Sequence, residues 1–399
     1  MTALERRTVR SLVLLYSFRL LGLFMVLPLL ALYATDLPGA TPALIGLALG
    51  AYGLTQAALQ IPLGWLSDQL GRKPVIVAGL TVFVVGSVVA ATADDLWGIV
   101  IGRALQGAGA IAATVMALLA DLTSVEQRTK SMAIVGISIG MSFAISLVVG
   151  PAIAAAGGLA TVFWVTALLG VGGILIVLFL VPSPTSAPGA HSDVGTRPSL
   201  LGRALREPEL LRLDFGVFTL HFILMASFLV VPGAIEQWAG VDRAHHWQVY
   251  LPVLLLSIVG MALLLRRSER GGRLRGTFLG GIALLAGSIL VIGIAASPYA
   301  LYFGLLLFFT CFNFMEAVVP SQVSKAVFTG GKGTALGIYS TCQFFGTFAG
   351  GAAGGWMMQQ FGKMGVVALC VGLAGVWFML ALGSGRALLP DPEQLPRAP

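Results

Sequence analysis

The chain has 399 residues, of which 57% are hydrophobic and only 10% charged, with 51 glycines and a mean hydropathy of +0.93. Charged residues make up about a quarter of a typical soluble domain, so a soluble globular fold is excluded, and so are disordered and fibrous chains. The formal charge of +7 is read as topology signal and affinity for anionic lipid headgroups rather than as a nucleic-acid footprint.

A helix that crosses a bilayer needs about 20 mostly apolar residues, and twelve such runs follow one another. The spacing predicts spans over 9–33, 43–66, 74–92, 97–120, 130–155 and 160–181, then over 213–233, 247–266, 277–296, 299–321, 333–357 and 364–385. A membrane β-barrel is excluded, because its strands run to about 10 residues of alternating polarity. Residues 1–181 are therefore expected as an N-terminal six-helix bundle and 213–385 as a C-terminal one. Between them lies a cytoplasmic linker, 182–212, with Pro182, Pro184, Pro188, Pro198 and Pro208. Its later part, 199–213, reads equally as a short interfacial helix or a solvated loop. Residues 386–399, with four prolines, are expected as an unstructured cytoplasmic tail. The three cysteines, Cys311, Cys342 and Cys370, all fall in apolar runs, so no disulfide framework or metal site is implied.

With the N-terminus in the cytoplasm, all but four of the Lys and Arg residues fall on that face. Arg243 and Lys363 lie on the other face, and Arg19 and Arg103 lie within helices. Positive loops stay cytoplasmic, so both termini are placed there. The basic, then apolar, N-terminus lacks a small-x-small cleavage site and reads as a retained first helix.

The loop after the second span reads Gly64-Trp-Leu-Ser-Asp68-Gln-Leu-Gly71-Arg72-Lys73-Pro74. Asp68 and Arg72 are four residues apart, and Asp121 ends the fourth span on the same face, so two acids can share one arginine. Such a cluster can also reach the free N–H groups at the start of the eleventh span, 333–337. Alternatively, Arg72 and Lys73 only supply positive charge, which leaves Asp68 and the glycines unexplained. The loop resembles the signature of the major facilitator superfamily, and Arg103-x-x-Gln106-Gly107-x-Gly109-Ala110 is similar to its fourth-helix motif. Gly150-Pro151 resembles the fifth-helix motif of antiporters, from which Ser146, Ala154 and Ala155 depart. The runs Arg19 to Pro28, Tyr52 to Gln56 and Phe312 to Glu316 look like the YajR-like branch of bacterial drug-proton antiporters. The resemblance covers residues 8–385. It implies an all-α integral membrane protein with twelve transmembrane helices in two six-helix bundles, the major facilitator fold, set in the bacterial inner membrane. It also implies that Gly64, Asp68, Gly71, Arg72, Lys73 and Asp121 latch the cytoplasmic side shut in the outward-open state. Some members of the branch carry a soluble C-terminal domain, which is not expected here.

Ionisable groups deep in a span cost about 2.5–3.5 kcal/mol each and need partners or a wet cavity. These are Arg19, Arg103, His221 and Glu316, one on each of the first, fourth, seventh and tenth spans, the helices that the resemblance implies line the central cavity. At 1.5 Å per residue, Arg19 and His221 fall ~3 Å and Glu316 ~9 Å to the cytoplasmic side of the midplane, and Arg103 ~8 Å to the other side. Arg19, His221 and Glu316 are thus expected as one cluster. Glu316, the one acid of the four, is the leading proton carrier, although a permanent pair with Arg19 would make it a structural strut. His221 either shares the proton or is a neutral hydrogen-bonded core residue. Arg103 either organises a proton path or packs helices.

Gln56, Gln106, Asn313, Tyr339 and Gln343, with Phe24, Met25, Phe222 and Phe312, are the expected cavity lining. A mostly apolar cavity with few polar groups suits lipophilic or amphipathic cargo. Gly46, Gly50, Gly53, Gly136, Gly140, Gly346, Gly350, Gly351, Gly354 and Gly355 are spaced for close helix approach. No phosphate-binding loop and no His-Glu-x-x-His site occur, so no cofactor and no enzymatic activity are expected. The sequence therefore reads as a monomeric proton-coupled secondary transporter exporting small organic compounds. A uniporter or proton symporter keeps the same fold, and a non-transporting membrane scaffold is the remaining alternative.

Overall fold

The computed structural model describes residues 1–182, 198–269, 273–328 and 331–383, all helix and connection. The helices are α1 (Ala3–Tyr33), α2 (Pro42–Leu70), α3 (Arg72–Ala91), α4 (Leu96–Ala108), α5 (Ala112–Asp121), α6 (Val125–Leu175), α7 (Pro198–Ala204), α8 (Pro208–Ser227), α9 (Val231–Ala234), α10 (Trp247–Glu269), α11 (Leu274–Ile294), α12 (Pro298–Ala326) and α13 (Lys332–Leu382). Most of the expected linker and the expected tail lie outside the described residues. Within the linker, α7 is the short helix that its Leu and Arg content allowed.

Local chemistry sets the helix starts. Thr2 and Glu5 form a reciprocal capping box. Thr41, Asp95 and Ser297 accept backbone N–H bonds at the starts of α2, α4 and α12, and Pro42 and Pro298 take the first helical position, where no N–H is needed. Gly71 joins α2 directly to α3 at φ 93°, a conformation open to glycine but costly for a residue with a Cβ.

Among the described residues, ten helical segments are long and apolar enough to cross a membrane. Two of them run to 55 and 51 residues, nearly twice the need of a ~30 Å hydrocarbon core. Both are broken at glycines, α6 at Gly157 and Gly158 and α13 at Gly362. Packing shows that the chain reverses at each break. Gly150 packs on Met25 of α1, while Thr166, beyond the break, donates to the Gly22 carbonyl. In α13, Gly346 packs on Phe218 and Trp377 on Gly216. Each long segment is thus two crossings, and the total is twelve. The fourth crossing is itself interrupted at 109–111, between α4 and α5.

The two halves, before and after the linker, meet unequally. Met25 to Leu49, Ala90 to Ile99 and Leu147 to Phe163 share one hydrophobic core with the whole C-terminal half. The part of the N-terminal half nearer the face that carries the N-terminus, Val9 to Leu23 with Ile111 to Leu119, packs as a separate cluster. The halves are therefore pressed together at the face opposite the N-terminus and part towards the terminal face.

Two helices trace this parting. On α2, a Cβ at Gly50 would lie 2.6 Å from the Phe348 carbonyl oxygen and one at Gly53 2.5 Å from that of Phe344, yet at Gly64 the neighbour is Ala113 of the same half. On α6, Phe143 meets Phe309 of α12 at 6.3 Å between ring centroids. One and two turns nearer the terminal face, Gly140 and Gly136 have nothing within 4 Å of a Cβ position. The expected close approach thus holds for Gly46, Gly50, Gly53 and the α13 glycines, whereas Gly136 and Gly140 line open space in this conformation.

Candidate functional site

Polar side chains in the apolar interior gather in two groups, one in each half. In the C-terminal half, α8, α12 and α13 bring together His221, Glu316 and Gln343. His221 Nδ1 lies 3.1 Å from the Val217 carbonyl oxygen, which can only accept, so Nδ1 carries a hydrogen. In the neutral ring Nε2 is then an acceptor, and Gln343 Nε2 reaches it at 2.8 Å while donating to Glu316 Oε1 at 3.3 Å. Glu316 Oε2 stands 3.7 Å from His221 Nε2 and has no hydrogen-bond partner. A proton arriving on His221 would put a donor at Nε2 opposite the Gln343 amide nitrogen, so that amide must turn and the ring becomes a partner for Glu316. Glu316 lies seven residues, two turns, from Phe309 on the face towards the N-terminal half, and its side chain is 39% exposed. Asn313, on the same helix, donates to Ser257 of α10 at 3.0 Å.

In the N-terminal half, Arg19 is 1% exposed. It donates to Tyr52 Oη and Gln56 Oε1, both at 2.9 Å, and to the Gly109 carbonyl at 3.2 Å. The last bond satisfies a carbonyl released where the fourth crossing is interrupted. Gln56 continues to Gln60 at 3.1 Å. Arg103, also 1% exposed, donates to Gln106, and Gln106 donates to Ser87, both at 2.9 Å. The Arg103 guanidinium stands 5.1 Å from the centre of the Tyr52 ring, and its Nε and NH2 atoms lack hydrogen-bond partners.

The structure thus divides the expected cluster: His221 and Glu316 come together, but Arg19 is engaged with Tyr52, Gln56 and Gly109 of its own half. Among the described residues no lysine or arginine pairs with Glu316. Gln56 and Gln106, expected as cavity lining, are fully buried inside the N-terminal half as partners of the two arginines. Of the other expected lining residues, Gln343 joins the site, and Tyr339 is 5% exposed with its hydroxyl unpartnered.

At the terminal face, Arg72 joins three elements. Its NH1 atom meets Asp68 Oδ1 at 2.5 Å and Ser67 Oγ at 2.7 Å, and its Nε meets Asp121 Oδ2 at 3.0 Å. This holds α2, α3 and α5 together, with Lys73 donating to the Val181 carbonyl. The partners that Arg72 holds here, Ser67, Asp68 and Asp121, all belong to the N-terminal half, on the side where the halves part. Gly150 packs α6 against Met25 and Leu29 of α1, and Pro151 beside it is buried. Across the opposite face, Arg243 pairs with Asp36 at 2.9 Å and Gln359 accepts from the Ala43 N–H at 3.3 Å, two links between the halves that no motif announced.

Sequence reading also missed Asp214, 5% exposed in α8 with Oδ1 unpartnered. Its signal was its register: it lies seven residues before His221, on the same stripe of the helix.

Comparison with known proteins agrees with this architecture. The family model described as Major Facilitator Superfamily matches residues 12–350. The inner membrane transport protein YajR of Escherichia coli (strain K12) is 45% identical over 382 residues, spanning 96% of this chain and 84% of the relative. The multidrug resistance protein MdtH of Cronobacter sakazakii is 25% identical over 343 residues, 85% of this chain and 83% of the relative. The solved structure of a bacterial homolog of the human lysosomal transporter Spinster, inward-facing and occupied, superposes with a TM-score of 0.77 at 12% identity, covering 98% of this chain and 100% of that one. These relatives are transporters rather than enzymes, and the chain is a multi-pass membrane protein that belongs to the major facilitator superfamily.

Proposed function

We propose that this chain is a proton-coupled antiporter that exports small lipophilic or amphipathic organic compounds across the bacterial inner membrane. The observation that carries the reading is the Glu316–His221–Gln343 group, a carboxylate and an imidazole facing each other at the gap between the halves, with no fixed cation on either among the described residues. Such a pair can exchange a proton and rearrange its bonds when it does. Residues 1–181 and 213–385 act as two bundles that rock about the site. With both termini in the cytoplasm, the conformation described above is open to the inside. Asp68, Arg72 and Asp121 then engage 333–337 when that side closes. The apolar surroundings favour lipophilic cargo, and the multidrug resistance name carried by a relative agrees with export.

The test is accumulation of ethidium and a panel of antibiotics in cells that lack their major exporters. Wild type should lower accumulation, and the effect should vanish with Glu316→Gln or when the pH gradient is collapsed. Equal export by wild type and Glu316→Gln would remove Glu316 from the coupling step, and export that survives loss of the gradient would refute antiport with protons.

A further inference from the structure

An acid buried in the C-terminal half, Asp214, takes no part in that proton-coupling group. Asp214 lies six residues into α8, and α8 and α13 pack in register: Gly346 meets Phe218 and Gly350 meets Phe222. One turn earlier on both helices, Asp214 therefore faces Cys342, and Tyr339 lies one further turn-step along the same edge of α13. Two buried polar atoms lacking hydrogen-bond partners occur there, Asp214 Oδ1 and Tyr339 Oη, each on a residue only 5% exposed. Asp214 acts electrostatically on Tyr339 and Cys342, and Glu316 acts on the same Tyr339.

Among the described residues, the charged groups around Asp214 do not neutralise it. From α13 it faces Tyr339 and Cys342, and from α12 Glu316 acts across Tyr339, while Glu209, Arg212 and His221 share its own helix. Arg212, the cation nearest in sequence, is taken up by Glu209 at 2.9 Å, and His221 is engaged with Val217 and Gln343. A carboxylate withdrawn from water without a cation is costly as an ion and is relieved by a proton.

We propose that Asp214 is a second proton-binding site of the C-terminal half, linked to Glu316 across the Tyr339 phenol. Glu316 opens to the gap and Asp214 does not, which gives the transporter one exposed and one shielded carboxyl group in this conformation. The inference rests on the proton-coupled reading for its use in transport, but proton binding at Asp214 stands or falls separately.

The experiment is infrared difference spectroscopy of the protonated-carboxyl stretch, on the full-length protein in lipid nanodiscs, titrated through neutral pH. Wild type and Glu316→Gln should both show a protonated-carboxyl band that Asp214→Asn loses, and Tyr339→Phe should displace it. A band unchanged in Asp214→Asn, or abolished by Glu316→Gln, overturns the proposal. Where Asp214→Asn does not fold, an undisplaced band in Tyr339→Phe overturns the link by itself. Failure of the export reading would appear instead as ethidium accumulation indifferent to Glu316→Gln, with the Asp214 band intact.

Discussion

Gly50→Ala is expected to shift the protein away from the conformation described here. Its Cβ would lie 2.6 Å from the Phe348 carbonyl oxygen and 3.1 Å from the Phe348 Cα. Both are backbone atoms, which cannot rotate away as the end of a side chain can. Restoring ordinary contact requires α2 and α13 to separate by about 0.8 Å along the line that holds the halves together. Overpacking of this kind costs about 1–3 kcal/mol, and a bias of that size moves a two-state equilibrium by roughly 5- to 150-fold. The bundles themselves keep their cores, so the cost falls on one conformation rather than on folding. Spin labels at Asp94→Cys and Tyr299→Cys, exposed positions in opposite halves next to the closed face, with the native cysteines replaced by serine, would read the change by double electron-electron resonance. The long-distance component should grow from minor to dominant. Gly136→Ala, where a Cβ has nothing within 4 Å, is the matched control and should leave the distribution unchanged. If Gly50→Ala gives the wild-type distribution as well, the α2–α13 contact is not what closes this face.

Gly140→Leu is expected to do the reverse, filling the open stripe beyond Phe143 and holding the terminal side apart; the same class of labels placed on that side should lose any short-distance component. Arg72→Ala leaves Asp68 and Asp121 facing each other without their cation. The loss should fall between the ~1 kcal/mol of an exposed pair and the ~3–5 kcal/mol of a buried one, because Arg72 is buried but Asp68 is 32% exposed, and thermal unfolding in detergent would measure it. Arg19→Lys keeps the charge but cannot reproduce the NH2 bonds to Tyr52, Gln56 and Gly109, so the melting temperature should drop, and an unchanged value would show that these bonds contribute nothing. In the loop at the opposite face, the His245 hydrogen bond holds the Asp242 carboxyl below the usual carboxylate range. Its contribution is present above the unfolded carboxylate value and is lost as pH falls through the depressed folded one, so the wild-type melting temperature should approach that of Asp242→Asn on the acid side alone.

The number of crossings is legible in the amino-acid order, because an apolar run of bilayer length has no other low-energy use and its backbone must close its own hydrogen bonds. So is the Asp68–Arg72–Asp121 group, whose members are four residues apart on one turn or end a helix at the same face. Helix ends followed the capping residues, but α1, α2 and α12 run past the predicted spans, since hydropathy marks the bilayer and not the end of hydrogen bonding. The partners of the buried charges were decided only by tertiary structure. Depth along a span placed Arg19 beside His221 and Glu316, but depth carries no information on which way a side chain points around the helix, and Arg19 points to Tyr52 and Gln56. The same limit hid Asp214, buried in α8 with Oδ1 unpartnered. The unequal packing of the glycines was decided in the same way: Gly50 and Gly140 look alike in sequence, and only the relative tilt of the two halves makes one a contact and the other a gap.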